Sequence, residues 1–156
     1  MKRLAYRDTS VPVERSQKAI RDLLQSYGAA GVQFTEQFEG GEIMVRFAYR
    51  PDGDNLGENS NKAGRAYFIR LKASVPEASR QAKREAMQRA AWRAVFYALK
   101  SRMESVQYGI ESFEEAFLAH FELGVDAKGK EFTVGDQLVP RLRAGRLALP
   151  AGKEES

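Results

Sequence analysis

The chain of 156 residues has no cysteine, one histidine and one tryptophan. Without cysteine it can form no disulfide, no thiolate metal site and no cysteine nucleophile. No stretch approaches the roughly 18 consecutive apolar residues of a membrane-spanning helix, so we expect no such helix. The basic residues near the start are not followed by an apolar segment, so we predict no secretory signal. The expected compartment is the cytoplasm.

Hydrophobic residues make up 43% of the chain and the mean hydropathy is -0.50, values typical of a soluble globular protein. The length favours a single domain over residues 1–156. The net charge of +4 is unevenly distributed: residues 51–110 hold eleven Lys and Arg against six Asp and Glu, whereas residues 111–156 hold six against nine. A basic middle favours a nucleic acid or another acidic partner. A solvated helix face is the alternative.

Period-two alternation of apolar residues predicts two strands, over residues 32–38 and 43–49, on either side of Glu39-Gly40-Gly41-Glu42. The glycine pair indicates a tight hairpin turn. Residues 51–65 are rich in Gly, Asn and Asp, and we predict a mobile loop there. Alternation over residues 66–75 predicts a third strand, so the three strands form an antiparallel meander.

Apolar residues at steps of three and four predict a first helix from about Val13 to Gly28 and a long helix from Pro76 to Tyr108. The long helix carries Trp92 on its apolar stripe, so we expect that side chain to be mostly buried. Beyond Gly109, we predict that Ser112 caps a short acidic helix.

The remaining sequence predicts a turn at residues 128–130, and then a strand or turn followed by a helical turn that Pro140 interrupts. From about residue 148 we expect a frayed tail. The predicted fold class is therefore α+β: a helix, a three-stranded antiparallel meander, a long helix and a small C-terminal helical appendage.

In this fold, one face of the second and third strands packs on the helices. The other face carries four cations and an aromatic residue, namely Arg46, Arg50, Arg70, Lys72 and Phe68. Either this face is open and basic, or the acidic C-terminal segment folds over it.

The helix–strand–strand–strand–helix order is shared by two nucleic-acid architectures. Residues 80–91 resemble the last helix of a double-stranded RNA-binding domain, but the glycine turn before that helix is missing and the middle loop is longer. A metal-dependent nuclease core places an acid-x-Lys pair on its third strand, where this chain has Arg70-Leu71-Lys72. Without the carboxylate, we expect no hydrolysis by a bound metal ion.

No other constellation predicts an active site. His120 lacks an identifiable nucleophile and orienting acid, and we expect it to be a surface or half-buried histidine. Glu114 and Glu115 lie at a helix start, where carboxylates favour the helix dipole. We therefore predict no catalytic residues, no metal and no cofactor, and lean against an enzymatic activity.

Several segments, including Val11 to Ser16, Trp92 to Lys100 and Gly109 to Leu118, resemble a small protein family encoded in phages and prophages. The likeness spans most of the chain. It implies a phage gene and the host cytoplasm, but no functional residues, because that family has no established activity.

Together these patterns predict an accessory protein of phage nucleic-acid metabolism that binds DNA or RNA mainly through the phosphate backbone. The candidate contacts are Arg80, Lys83 and Arg84 at the start of the long helix, with Arg46, Arg50, Arg70 and Lys72 if the sheet face is open. Tyr67, Phe68 or Trp92 are candidates for stacking on bases, although Tyr67 and Trp92 also suit the core. The alternative is a protein-binding module that acts on a host or phage protein, with no membrane partner in either case.

Overall fold

A computed structural model describes residues 3–50 and 66–146. The predicted loop at 51–65 and the predicted tail at 148–156 lie outside the described residues. The elements follow one another as α1 (Val13–Ser26), β1 (Gly31–Gln37), β2 (Glu42–Tyr49), β3 (Tyr67–Ser74), α2 (Gln81–Gln107), α3 (Phe113–Phe117), a 3₁₀ turn (Leu118–His120), β4 (Glu122–Val125), β5 (Glu131–Thr133) and α4 (Val134–Arg143). The predicted α+β class and the meander are confirmed.

The main sheet is antiparallel in the order β1-β2-β3, with Val45 opposite both Phe34 and Leu71. Because side chains alternate across a strand, every second residue of β2 and β3 faces α1 and α2. The core between them includes Ile20, Leu24, Ile43, Val45, Phe47, Ile69, Leu71, Trp92, Val95 and Leu99. Its largest member, Trp92, is fully buried, as predicted.

The β1–β2 hairpin turns through two glycines in the left-handed region, with φ of +87° at Gly40 and +58° at Gly41. The backbone N–H of Val75 donates to the carbonyl of Gly41 at 2.5 Å, so the turn also contacts the chain just after β3. A Cβ atom at position 41 would lie 2.7 Å from the carbonyl oxygen of Val75, whereas one at position 40 would meet open space.

We expect Gly41→Val to lower the free energy of unfolding by about 1–3 kcal/mol, because a β-branched residue resists positive φ and because its Cβ clashes with Val75. Gly40→Val is the matched control, since it introduces the backbone strain without the clash. Urea denaturation of the two variants measures the difference. Equal stability of Gly41→Val and the parent would contradict the observed turn.

The long helix begins at Gln81, so its predicted start at Pro76 was wrong. The hydrogen bond of Val75 to Gly41 continues the strand contact beyond β3, and Arg80 still has extended dihedrals, with φ -88° and ψ 136°. The side chain of Arg84 donates to the carbonyls of Ala78 at 3.2 Å and Ser79 at 2.8 Å, which holds this linker against the first turn of α2.

Two features of the C-terminal part also differ from the prediction. The chain forms a second hairpin from β4 and β5, and β4 was missed because its four residues are too few to show alternation. Pro140 does not interrupt the last helix, since α4 runs from Val134 to Arg143. A capping box at Thr133 and a bond from the Ala144 N–H to the Pro140 carbonyl hold the helix on both sides of the proline ring.

Candidate nucleic-acid interface

The C-terminal unit, by which we mean residues 118–146, covers the β3 side of the outer face of the sheet. Arg46 donates from Nε and Nη2 to the two carboxylate oxygens of Glu122, both at 2.8 Å, and Glu122 is only 9% exposed. The Arg46 guanidinium also lies over the ring of Phe68, 4.5 Å from its centroid. The hydrogen bonds to Glu122 raise the pKa of Arg46. This cation is therefore bound by a carboxylate of its own chain.

Arg70 is held in a similar way and is 7% exposed. Its Nη2 donates to the backbone carbonyl of Glu131 at 3.2 Å, and its guanidinium lies 3.5 Å from the Glu131 carboxylate and 3.6 Å from that of Asp136. The backbone N–H of Thr133 lowers the pKa of Asp136, and the positive charge of Arg70 lowers it further. Of the two alternatives for this face, the structure shows the acidic segment folded over it.

The other two cations of this face are more accessible. Lys72 is 41% exposed, and its Nζ lies 4.0 Å from a carboxylate oxygen of Glu42, at the outer limit of an ion pair. Arg50 is exposed just beyond the end of β2. The predicted group of four sheet cations thus divides into two that bind carboxylates closely and two at the periphery.

The start of α2 offers a more open basic surface. Arg80 is the N-cap residue, yet no side chain caps the helix, and its first turn contains no acidic residue. Arg80 and Lys83 are both exposed, and neither has a partner among the residues that the structure describes. Because free N–H groups and the helix dipole make this end positive, it attracts anions. Arg84 belongs to the linker instead, through its bonds to Ala78 and Ser79.

Phe38 is the functional candidate that the sequence reasoning missed. Its side chain is 87% exposed at the tip of the β1–β2 hairpin. The predicted strand over residues 32–38 included it, but β1 ends at Gln37 and Phe38 lies in the turn. An aromatic residue two positions before a Gly-Gly pair is the signal that could have identified it.

Phe38 borders a groove between the hairpin and the chain that enters α2, which we call the hairpin groove. Its volume is about 620 Å³, and its walls include Val75, Pro76, Ala78 and Gln88. On the other side of Phe38, a second groove faces α1 and is lined by three carboxylates and two guanidinium groups, those of Glu14, Glu36, Glu85, Arg84 and Arg89. The exposed ring therefore stands between a groove lined by charges of both signs and a largely uncharged one.

The other aromatic candidates do not offer a free ring. Trp92 is fully buried, packs edge-on against Phe34 and donates from Nε1 to Glu36 at 3.2 Å. Tyr67 is half-buried and packs edge-on against Phe121 at 4.9 Å. Phe68 is 42% exposed, with Arg46 over its ring.

His120 is half-buried in the 3₁₀ turn, as predicted. Burial lowers the pKa of its imidazole, the positive charge of Arg102 lowers it further, and a hydrogen bond to the backbone of Arg70 opposes both. It lies in the part of the C-terminal unit, the 3₁₀ turn, that contacts β3.

Over residues 3–50 and 66–146, no group of three His, Cys, Asp or Glu side chains is arranged to hold a metal ion. None of the described helices is long and apolar enough to cross a membrane. Comparison with protein-family models, with curated proteins and with solved structures finds no match for this chain.

Proposed function

We propose that this chain is a non-catalytic accessory nucleic-acid-binding protein that holds DNA or RNA mainly through the phosphate backbone. The observation that carries the proposal is the uncapped, acid-free N-terminal turn of α2, which bears the exposed Arg80 and Lys83 and whose Gln81 lines one groove together with Phe38 of the hairpin. Its setting in phage nucleic-acid metabolism is supported by the sequence resemblance alone.

Phosphate contacts at this site come from two sources. The exposed side chains of Arg80 and Lys83 supply positive charge, and the backbone N–H groups of the first helical turn supply hydrogen-bond donors. Arg84 acts as a positioning residue, because its bonds to Ala78 and Ser79 set the direction in which the chain enters α2. Lys72 and Arg50 are peripheral contributors, whereas Arg46 and Arg70 stabilise the C-terminal unit.

The test is the salt dependence of binding for the double variant Arg80→Ala/Lys83→Ala. Each phosphate contact contributes about -0.9 to the slope of log affinity against log salt on duplex DNA, and about -0.7 on a single strand. We therefore expect the double variant to reduce the magnitude of the slope by about 1.4 to 1.8 units. Fluorescence anisotropy with labelled oligonucleotides between about 50 and 200 mM salt measures it.

The matched control is Arg141→Ala/Arg143→Ala, which removes two exposed cations from the last turn of α4. It changes the net charge equally and should leave the slope near that of the parent. Equal slopes for the parent and the Arg80→Ala/Lys83→Ala variant would contradict the assignment of the interface. Absence of binding to any nucleic acid at low salt would contradict the proposed function.

A second candidate, a protein-binding module, is favoured by the apolar side chains that the C-terminal unit exposes. Leu118, Leu123, Val125 and Leu142 are between 53% and 62% exposed. Exposed apolar side chains of this size are typical of protein contacts when they form one patch. If the chain fails to bind both DNA and RNA, this becomes the better proposal.

A further inference from the structure

We infer that the hairpin groove accepts one unpaired nucleobase, so that the preferred ligand is single-stranded rather than duplex nucleic acid. This inference rests on the proposed function and names the ligand class of the same site. It comes from four properties of the groove and its surroundings: an exposed aromatic ring at its edge, apolar walls, a lining with only two charged residues, and exposed cations at the start of α2.

The ring of Phe38 is a stacking surface that the fold does not use. It is 87% exposed, and the positive φ angles of Gly40 and Gly41 fix the tight turn that follows it. Bases stack on such rings with little dependence on sequence, because every base has a π face. A ring held at the tip of a hairpin is thus available to a base that enters the groove beside it.

The groove has the size and composition of a small-ligand site. Its volume of about 620 Å³ falls within the roughly 300–1,000 Å³ of such sites. Val75, Pro76 and Ala78 form apolar walls, and Gln37 and Gln88 add two amides able to donate and accept hydrogen bonds at the edge of a base.

The charges also favour a base in the groove over a phosphate. Among the described residues that line it, only Glu77 and Arg84 are charged, and Arg84 is already bonded to the Ala78 and Ser79 carbonyls and to Gln81. A phosphate inside would meet the Glu77 carboxylate and a guanidinium whose two terminal nitrogens already have hydrogen-bond partners. A neutral base meets apolar walls and amides.

The surroundings give the strand a direction. Arg80 and Lys83 lie where the lining residue Ser79 leads into α2, and they can bind the phosphates that flank the base. On the α1 side of Phe38, the three carboxylates of the second groove outnumber its two guanidinium groups, so this groove attracts a phosphate less than the acid-free first turn of α2 does. The strand is therefore expected to leave the groove along the first turn of α2. A duplex, whose bases are already paired and stacked, has no free base to offer.

The experiment compares Phe38→Ala and Phe38→Trp with the parent protein. The ligands are a single-stranded DNA, the same sequence as RNA, the DNA strand with abasic sites, and the DNA duplex. Loss of one stacking contact should weaken single-strand binding by roughly 5- to 150-fold in Phe38→Ala. Phe38→Trp should bind like the parent, and its added indole emission should be quenched by the single strand. Melting curves check that both variants remain folded, which the exposure of Phe38 predicts.

Two results would support the inference. Phe38→Ala should lose affinity for the single-stranded DNA but not for the duplex. The parent protein should bind the strand with abasic sites as weakly as Phe38→Ala binds the intact single strand. The DNA and RNA arms show which backbone is preferred. If Phe38→Ala binds every ligand like the parent, while Arg80→Ala/Lys83→Ala reduces the salt slope, the base site is wrong and the proposed function stands. If the parent binds none of the ligands, both are wrong.

Discussion

Trp92→Ala is expected to lower the free energy of unfolding by about 3–5 kcal/mol, among the largest effects of any single substitution in this chain. Trp92 is fully buried where α2 meets the sheet, and it packs edge-on against Phe34 with ring centroids 5.4 Å apart. Alanine removes the transfer free energy of the indole and leaves a cavity that rigid neighbours only partly fill. Urea denaturation followed by far-UV circular dichroism measures the change.

Trp92→Phe separates packing from hydrogen bonding. Phenylalanine keeps much of the ring but loses the N–H that donates to Glu36 at 3.2 Å. We expect this variant to lose much less stability than Trp92→Ala, about 1–2 kcal/mol, because Glu36 is exposed and water can replace the lost donor. A loss below about 1 kcal/mol for Trp92→Ala would mean that the indole is not in the core.

The second large effect is expected for Glu122→Gln, at about 3 kcal/mol. Glu122 is 9% exposed and accepts two hydrogen bonds from Arg46, whose side chain is 29% exposed. Removing one partner of a buried pair leaves the other charge poorly solvated, and such losses are about 3–5 kcal/mol. Because Arg46 keeps some contact with water and with Phe68, the lower end of that range applies.

The readouts for Glu122→Gln are the free energy of unfolding and limited proteolysis of the C-terminal unit. We expect cleavage within residues 118–146 to become faster, because this pair attaches the unit to the sheet. Glu114→Gln is the matched control: it removes an exposed carboxylate from the first turn of α3, so it should lower stability by at most about 0.3–1 kcal/mol and leave the cleavage rate unchanged. Equal stability of both variants would show that the Arg46–Glu122 pair does not hold the unit in place.

Much of the fold was predictable because the signals are local. The alternation of β1 to β3 reports which side chains face the core, and the Gly-Gly turn requires positive φ at both glycines. Ser112 forms a capping box with Glu115, which the spacing of the two residues predicts. The start of α2 was less accessible to this reasoning, because it depends on Val75 bonding to Gly41, more than thirty residues earlier in the chain.

The candidate site was predictable only in part. The sequence by itself determined that positive charge concentrates in the middle of the chain and that the start of α2 is basic. All three cations at this start are exposed, and the sequence did not show that Arg84, unlike Arg80 and Lys83, bonds to the carbonyls of the preceding linker. That difference depends on side-chain direction around the first helical turn and on the path of the linker.

Only the tertiary structure decided which cations face solvent. Arg46 and Arg70 alternate on the outer face of the sheet as the sequence predicts, but their partners Glu122 and Glu131 come from a unit more than sixty residues away along the chain. Phe38 became exposed because β1 ends one residue before it. Local periodicity specifies which face a side chain occupies, whereas the cover over that face depends on long-range packing, which periodicity does not encode.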